Sequence, residues 1–152
     1  PGLSERIGLP VHDIDRMQKW YFGMCPEIRA WQEDLKEQVN KQGWIENPFG
    51  YRFYFLDRVS NRTYNQAVAL IPQSSVGRVI NQALMNIDAN LPRVEPLLQV
   101  HDSLTGQFPT HLAAECQRDI LRESTISVQC RYELVTIPMQ IKTSPKSWGD
   151  CK

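Results

Sequence analysis

The sequence predicts an α+β fold, an antiparallel sheet with packed helices, and three observations lead there. An apolar stripe at helical spacing runs through residues 26–43. Aromatic-rich runs flank a turn signature at residues 47–50. Apolar residues alternate with polar ones or proline near residues 135–141. At 152 residues and 41% hydrophobic, the chain is long enough to bury a core, and one domain is the natural reading.

Residues 11–22 read as a short helix with Ile14, Met17 and Tyr21 on one side. His12 and Asp13 fall at its start, where they would cap or flank the first turn, since an acidic group is favourable at the positive end of a helix. Pro26 opens a second helix whose Ile28, Trp31, Leu35 and Val39 face the core, and Gly43 stands where a C′ glycine belongs. In "GWIENPFGYRFYFLD", residues 43–57, the run Asn47-Pro48-Phe49-Gly50 has type I turn chemistry, so a β-hairpin is predicted.

From about residue 63 to residue 90 the pattern is helical, with Val76, Val79 or Ile80, Ala83 and Ile87 facing inward. Pro72 implies a kink or a late start, and Leu91-Pro92 a stop. A strand ending at Val100, a tight turn through His101 and Asp102, and a return strand over 103–108 come next. Pro109 begins another helix, with Leu112, Cys116 and Ile120 on one side. The last regular element is a strand in which Val135, Ile137, Met139 and Ile141 alternate with polar positions or proline, Pro138 marking an edge or an end of pairing. The tail holds Trp148, expected to pack it onto the sheet.

Seventeen basic residues offset seventeen acidic ones. No global field therefore points to nucleic acid or membrane, and any DNA contact must be local. No apolar run approaches the roughly 18 residues of a membrane span, no signal peptide opens the chain, and Pro1 reads as a cut end. Cys25, Cys116, Cys130 and Cys151 are scattered without a CxxC pair, which argues against zinc and for reduced thiols in a cytoplasm.

The tripeptide Val-His-Asp occurs twice, in "LPVHDIDRM" at 9–17 and "LLQVHDSL" at 97–104. The first copy is explained by its place at a helix start. The second puts a carboxylate at the tip of a hairpin with apolar arms, where burial of the charge would be costly without compensation. A solvated turn and a bound divalent cation both answer that pattern. Mg²⁺ is typically held by one or two carboxylates plus substrate phosphates.

"QVHDSL" at 99–104 resembles the third palm motif of family A DNA polymerases, the polymerase I class, whose familiar form is Gln-Val-His-Asp-Glu. The segment at 43–57 resembles the family's Gly-Tyr-Val…Thr-x-x-Gly-Arg-Arg-x-Tyr. "QAVALIPQSSVGRVINQALMNID" at 66–88 resembles its Asn-Ala-Pro-x-Gln-Gly-Thr-Ala-Ala-Asp helix, and "IPMQIKTSPKSW" at 137–148 its closing Val-Pro-Leu-x-Val-Glu-Val-x-x-Gly-x-x-Trp. Four blocks stand in family order with family-like gaps over nearly the whole chain.

The resemblance implies that Asp102 is a metal-binding palm carboxylate and His101 its neighbour near the primer terminus. It makes Gln73 the glutamine that meets the minor-groove side of the nascent base pair. Arg52 matches the second Arg of Gly-Arg-Arg, with Tyr51 in place of the first. Several positions depart from the pattern. Ser103 stands where Glu is commoner, and Pro72 is displaced by one position. Asn65 and Ala69 replace the family's frequent Arg and Asn, so the DNA contacts usual at both positions, that of Asn65 included, are weakened or lost. This drift suggests a divergent, phage-type member acting in a bacterial cell or phage-infected host.

By the same resemblance, residues 1–43 are fingers-to-palm helices and residues 44–152 the C-terminal palm. The family's Asp-Tyr-Ser strand and its fingers helix with Arg, Lys and Tyr are not among these residues. Two-metal Mg²⁺ catalysis in the family uses two metal-binding aspartates, and the resemblance places the other one on that absent strand. The expected partners are thus primer-template DNA, deoxynucleoside triphosphates, and an upstream polymerase region or a separate complementing chain. Two other classes are weighed against this one. A non-catalytic palm-derived structural or DNA-binding module lacks the second aspartate altogether. A His-Asp type metal phosphohydrolase would need His101 and Asp102 on a helix with further ligands, of which only His12 and His111 remain.

Overall fold

The computed structural model describes residues 3–130 and 133–151. By compactness the chain forms two units. One joins the chain up to Ile45 with Phe53–Val68, and the other joins Glu46–Arg52 with the chain from Ala69 onward.

The first unit opens with a short helix that sequence periodicity did not announce, α1 (Leu3–Ile7), followed by α2 (Val11–Met24). Pro10 is the N-cap of α2, and no side chain caps it. Asp13 lies in the first turn but bonds Arg16 at 2.9 Å instead of a backbone N–H, which corrects the capping role expected of His12 and Asp13. Ile14 is buried, whereas Met17 and Tyr21 stay exposed, so the α2 stripe is only partly covered. α3 (Pro26–Gln42) follows the expected pattern closely. Proline occupies its first turn, Leu35 and Val39 are buried, and Gly43 takes φ 72° with its N–H on the Val39 carbonyl at 3.0 Å. That left-handed cap is a conformation glycine adopts without a Cβ penalty.

Strands β1 (Trp44–Glu46) and β2 (Arg52–Tyr54) pair around the expected turn, where the Gly50 N–H donates to the Asn47 carbonyl at 3.0 Å. The long helix α4 (Asn61–Asn90) begins two residues earlier than about 63. Ser60 explains this. Its carbonyl accepts the Tyr64 N–H, and its own N–H donates to Thr63 Oγ1 at 3.1 Å, so the Thr63 side chain reaches back over the first turn, one half of a capping box. Pro72 sits inside a helix that continues on both sides of it, so no late start occurs.

In the second unit, one row of α4 organises the core. Val79 and Ala83 pack with Ile126 and Val128, while Ile87 and Leu91 pack with Val94 and Cys116. Both Val79 and Ile80 are buried, and Val76, expected inward, is 47% exposed. Strands β3 (Glu95–Val100) and β4 (Ser103–Gln107) form an antiparallel hairpin. A 3-10 turn then leads into α5 (Ala113–Ser124), where Cys116 is buried as expected.

The next hairpin, β5 (Ile126–Gln129) with β6 (Leu134–Ile137), adds a strand that was not anticipated. β6 ends before Pro138, leaving Met139 and Ile141 outside it, and Trp148 is 62% exposed rather than packed. The described strands form three two-stranded ladders beside the helices, so the expected α+β class holds, with its sheet divided into small ones. Proline helps to stop the ladders from growing. Pro96 lies beside a register shift in β3 and Pro138 follows β6, and neither supplies a ladder N–H.

Candidate functional site

Val100 faces Ser103 across the β3–β4 ladder, leaving His101 and Asp102 as a two-residue turn. His101 adopts φ 52°, the one positive φ among the described non-glycine residues. For an L-residue the left-handed region costs roughly 1–2 kcal/mol, although histidine is among the types that tolerate it better than most. The Ser103 hydroxyl donates to the Val100 carbonyl at 2.9 Å and braces the turn.

The hairpin's arms are less buried than the sequence suggested, with Leu97 55% and Leu98 49% exposed. Asp102 is itself exposed and makes no hydrogen bond or ion pair among the described residues. The expected desolvation cost is therefore absent. Its carboxylate is solvated and has free lone pairs.

Two features hold the tip in place. Leu104, two residues beyond Asp102, is half-buried and packs against both core clusters of α4. At the other end of β4, a Cβ on Gly106 would lie 2.9 Å from the Glu95 carbonyl oxygen, so the strands approach there more closely than a side chain permits.

Gln73 and Asn65 project from α4 as exposed side chains without partners among the described residues. They belong to different compact units, Asn65 to the first and Gln73 to the second. Arg52 is exposed and donates from Nε to Glu46 at 2.7 Å.

The neighbourhood of Gln73 joins Asn47 and Tyr51, which the sequence offered only as a turn residue and a replaced arginine, to Ser74 and Arg78, which it did not single out. Asn47, buried at the turn, donates to Ser74 Oγ at 3.0 Å, and the Arg78 guanidinium lies 5.5 Å from the Tyr51 ring centroid. Further along, Gln82 donates to Asn86, Asn86 to the Glu123 carbonyl, and Asn90 to the Glu123 carboxylate. The Asn90 bond, followed by that of Arg122, holds the Glu123 carboxyl below its ordinary pKa.

Ser74, Arg78, Gln82, Asn86 and Asn90 are spaced by four, and so are Val79, Ala83, Ile87 and Leu91 one position on. A polar row thus ties down the flanking segments while an apolar row beside it builds the core. The spacing was visible in the sequence, but which partners the polar row would meet was not.

The turn at 47–50 and the His101-Asp102 hairpin are therefore both fastened to α4. Asp102 is a lone carboxylate. No group of three or more His, Cys, Asp or Glu side chains gathers among the described residues. The four cysteines are free thiols, and no described helix is long and apolar enough to cross a membrane.

Residues 1–150 match the family model of DNA polymerase family A. The chain is 29% identical over 126 residues to the thermostable DNA polymerase I of Thermus filiformis, covering 76% of this chain and 15% of that protein. It is 32% identical over 115 residues to DNA polymerase I of Rhizobium leguminosarum, covering 68% and 11%. With DNA polymerase theta of Caenorhabditis elegans it shares 24% identity over 159 residues, 99% of this chain and 10% of that one. The chain therefore spans only a small part, 15% or less, of the length of these relatives. Its fold is similar to the POL domain of Pol1 from M. smegmatis, solved in complex with DNA primer-template and dNTP. The TM-score is 0.74 at 22% identity, over 82% of this chain and 24% of that one.

Proposed function

The chain belongs to DNA polymerase family A, and on that premise we propose that it forms the C-terminal part of a DNA-directed DNA polymerase. Residues 1–43 supply fingers-to-palm helices and residues 44–152 the C-terminal palm. The complete enzyme adds deoxynucleotides to a primer 3′-hydroxyl under the direction of a template. The observation that carries this reading is the exposed, unpaired carboxylate of Asp102 at the tip of a hairpin whose Leu104 is seated in the core. A solvated carboxylate with free lone pairs suits Mg²⁺, a cation usually held by one or two carboxylates together with substrate phosphates.

In this reading Asp102 is the metal ligand, and His101 stands beside the primer terminus. Gln73 meets the minor-groove side of the nascent base pair. Arg52 and Asn65 approach the DNA backbone, where such contacts position without reading sequence. To bind a phosphate through Nε, Arg52 gives up its exposed ion pair with Glu46, a kind of contact that contributes little. Mg²⁺, when bound, lowers the pKa of the attacking hydroxyl and stabilises charge on the transferring phosphoryl group.

In two-metal chemistry two ions clamp the attacking and the leaving oxygen, and by the family resemblance two aspartates hold them, of which Asp102 is one. A second aspartate and a triphosphate-holding fingers helix therefore come from an upstream region or a separate chain. Exposed Leu97 and Leu98, on a ladder with no third strand among the described residues, offer a surface for that region. A His-Asp phosphohydrolase is disfavoured, since His101 and Asp102 occupy a turn and not a helix.

The test is complementation. The isolated chain, given Mg²⁺, primer-template and deoxynucleoside triphosphates, extends nothing. A separately made chain carrying thumb, Asp-Tyr-Ser strand and fingers helix restores extension, and the two co-elute on a sizing column. Extension by the isolated chain overturns the two-aspartate argument. A well-folded complement that fails to bind favours a palm-derived structural or DNA-binding module instead.

A further inference from the structure

Asn47 is one of the few buried polar residues of the described chain, 4% exposed. Its Oδ1 accepts the N–H groups of Phe49 and Tyr51, each at 3.0 Å, and its Nδ2 donates to Ser74 Oγ at 3.0 Å. Turning the amide over would set its NH₂ against two N–H donors, so the network fixes its orientation. The Ser74 hydroxyl in turn donates to the Ile71 carbonyl at 3.2 Å, and the Ser75 hydroxyl reaches the same carbonyl at 2.7 Å.

Ile71 is the residue before Pro72, whose ring removes the N–H that the Val68 carbonyl would otherwise accept. A helix interrupted by proline and back-bonded by two hydroxyls bends readily. The hydrogen-bonded path from Asn47 through Ser74 ends at this weak point, immediately before Gln73.

We infer that Asn47 is a positioning residue for Gln73: through Ser74 it fixes the course of α4 at Pro72, and with it the place of the Gln73 amide. This rests on the reading of Gln73 as a contact to the nascent base pair. The informative substitution is Asn47→Asp. It keeps an acceptor for the Phe49 and Tyr51 N–H groups, so the turn survives. It also replaces the donor facing Ser74 by an acceptor, so the Ser74 hydroxyl turns toward it and leaves the Ile71 carbonyl. Ser74→Ala breaks the same path from the helix side, and it carries the test should the Asp variant fail to fold.

The experiment is a double-mutant cycle in the complemented enzyme, reading kcat/KM for extension of a matched primer. Asn47→Asp and Ser74→Ala each lower it about tenfold, the scale of a misplaced contact group. In a Gln73→Ala background the same changes cost less than about twofold, because the residue they act through is gone. A full loss in that background makes Asn47 a structural residue only and overturns the inference. If Gln73→Ala lowers extension but neither Asn47→Asp nor Ser74→Ala does, the inference fails while the reading of Gln73 stands. If Gln73→Ala itself changes nothing, that reading fails and takes the inference with it.

Discussion

At residues 11–13 Val-His-Asp begins helix α2, and at residues 100–102 the same tripeptide ends strand β3 and turns the chain back. In the first copy the carboxylate of Asp13 is occupied. Arg16 bonds it at 2.9 Å and His12 Nε2 lies 3.5 Å away. In the second, His101 is in the left-handed region, and Asp102 has neither hydrogen bond nor ion pair among the described residues. Three identical side chains thus offer a cation very different sites. Backbone conformation decides the difference, by setting which neighbours come within reach of the carboxylate. A regular helix brings the i+3 arginine onto the acid, while a two-residue turn brings nothing.

The largest effect expected from this comparison is on catalysis. In the complemented enzyme, Asp102→Asn should lower primer extension by about a hundredfold or more, the scale of a lost electrostatic stabiliser. Because the group is exposed and unpaired, the stability of the isolated chain should move by no more than about 0.5 kcal/mol. Extension within about threefold of the unmodified enzyme would erase the distinction between the copies.

Leu104→Ala comes next. It removes contacts with both core clusters, and denaturant unfolding of the isolated chain should register a loss of about 2 kcal/mol. The first copy has no equivalent anchor two residues on, since Asp15 is exposed.

Glycine sharpens the comparison by reversing sign. His101→Gly relieves a positive φ and should raise thermal stability by up to about 1 kcal/mol, whereas His12→Gly, in a helix, should lower it by a similar amount, about 0.5–1 kcal/mol. Equal signs would mean that the turn conformation of His101 is not what distinguishes it.

The smallest effect belongs to Asp13→Ala. With no cap to lose, and only the i,i+3 pair with Arg16 and the His12 contact broken, about 0.3–0.5 kcal/mol is expected. Extension by the folded, complemented enzyme should be unchanged, and a large rate loss without unfolding would mean that the first copy carries chemistry.

Much of this architecture was legible in the sequence where a local cause was sufficient. Pro26 and Gly43 delimit α3 because fixed φ and left-handed freedom act within one residue. The hairpin turns at 47–50 and 101–102 were legible for similar reasons. What could not be read had a weak local signature or a distant partner. Ser60 sets the start of α4 through Thr63, and β5 is four residues long, too short to stand out by alternation alone. At the site, the resemblance directed attention to Gln73 and Asp102. It said nothing of Asn47, whose importance lies in a bond to Ser74 spanning 27 residues of sequence.

The four-residue rows of α4 also set a limit on how this gene can change length. From Ser74 to Asn90 the polar row extends about 24 Å at 1.5 Å per residue, with the turn at 47–50 tied to one end and Glu123 to the other. Adding or deleting one residue between them rotates everything downstream by about 100° and displaces both rows from their partners together. Loops such as 57–60 can absorb a change of length, but this stretch of helix cannot. Insertions and deletions should therefore be purged there, even where single substitutions are tolerated.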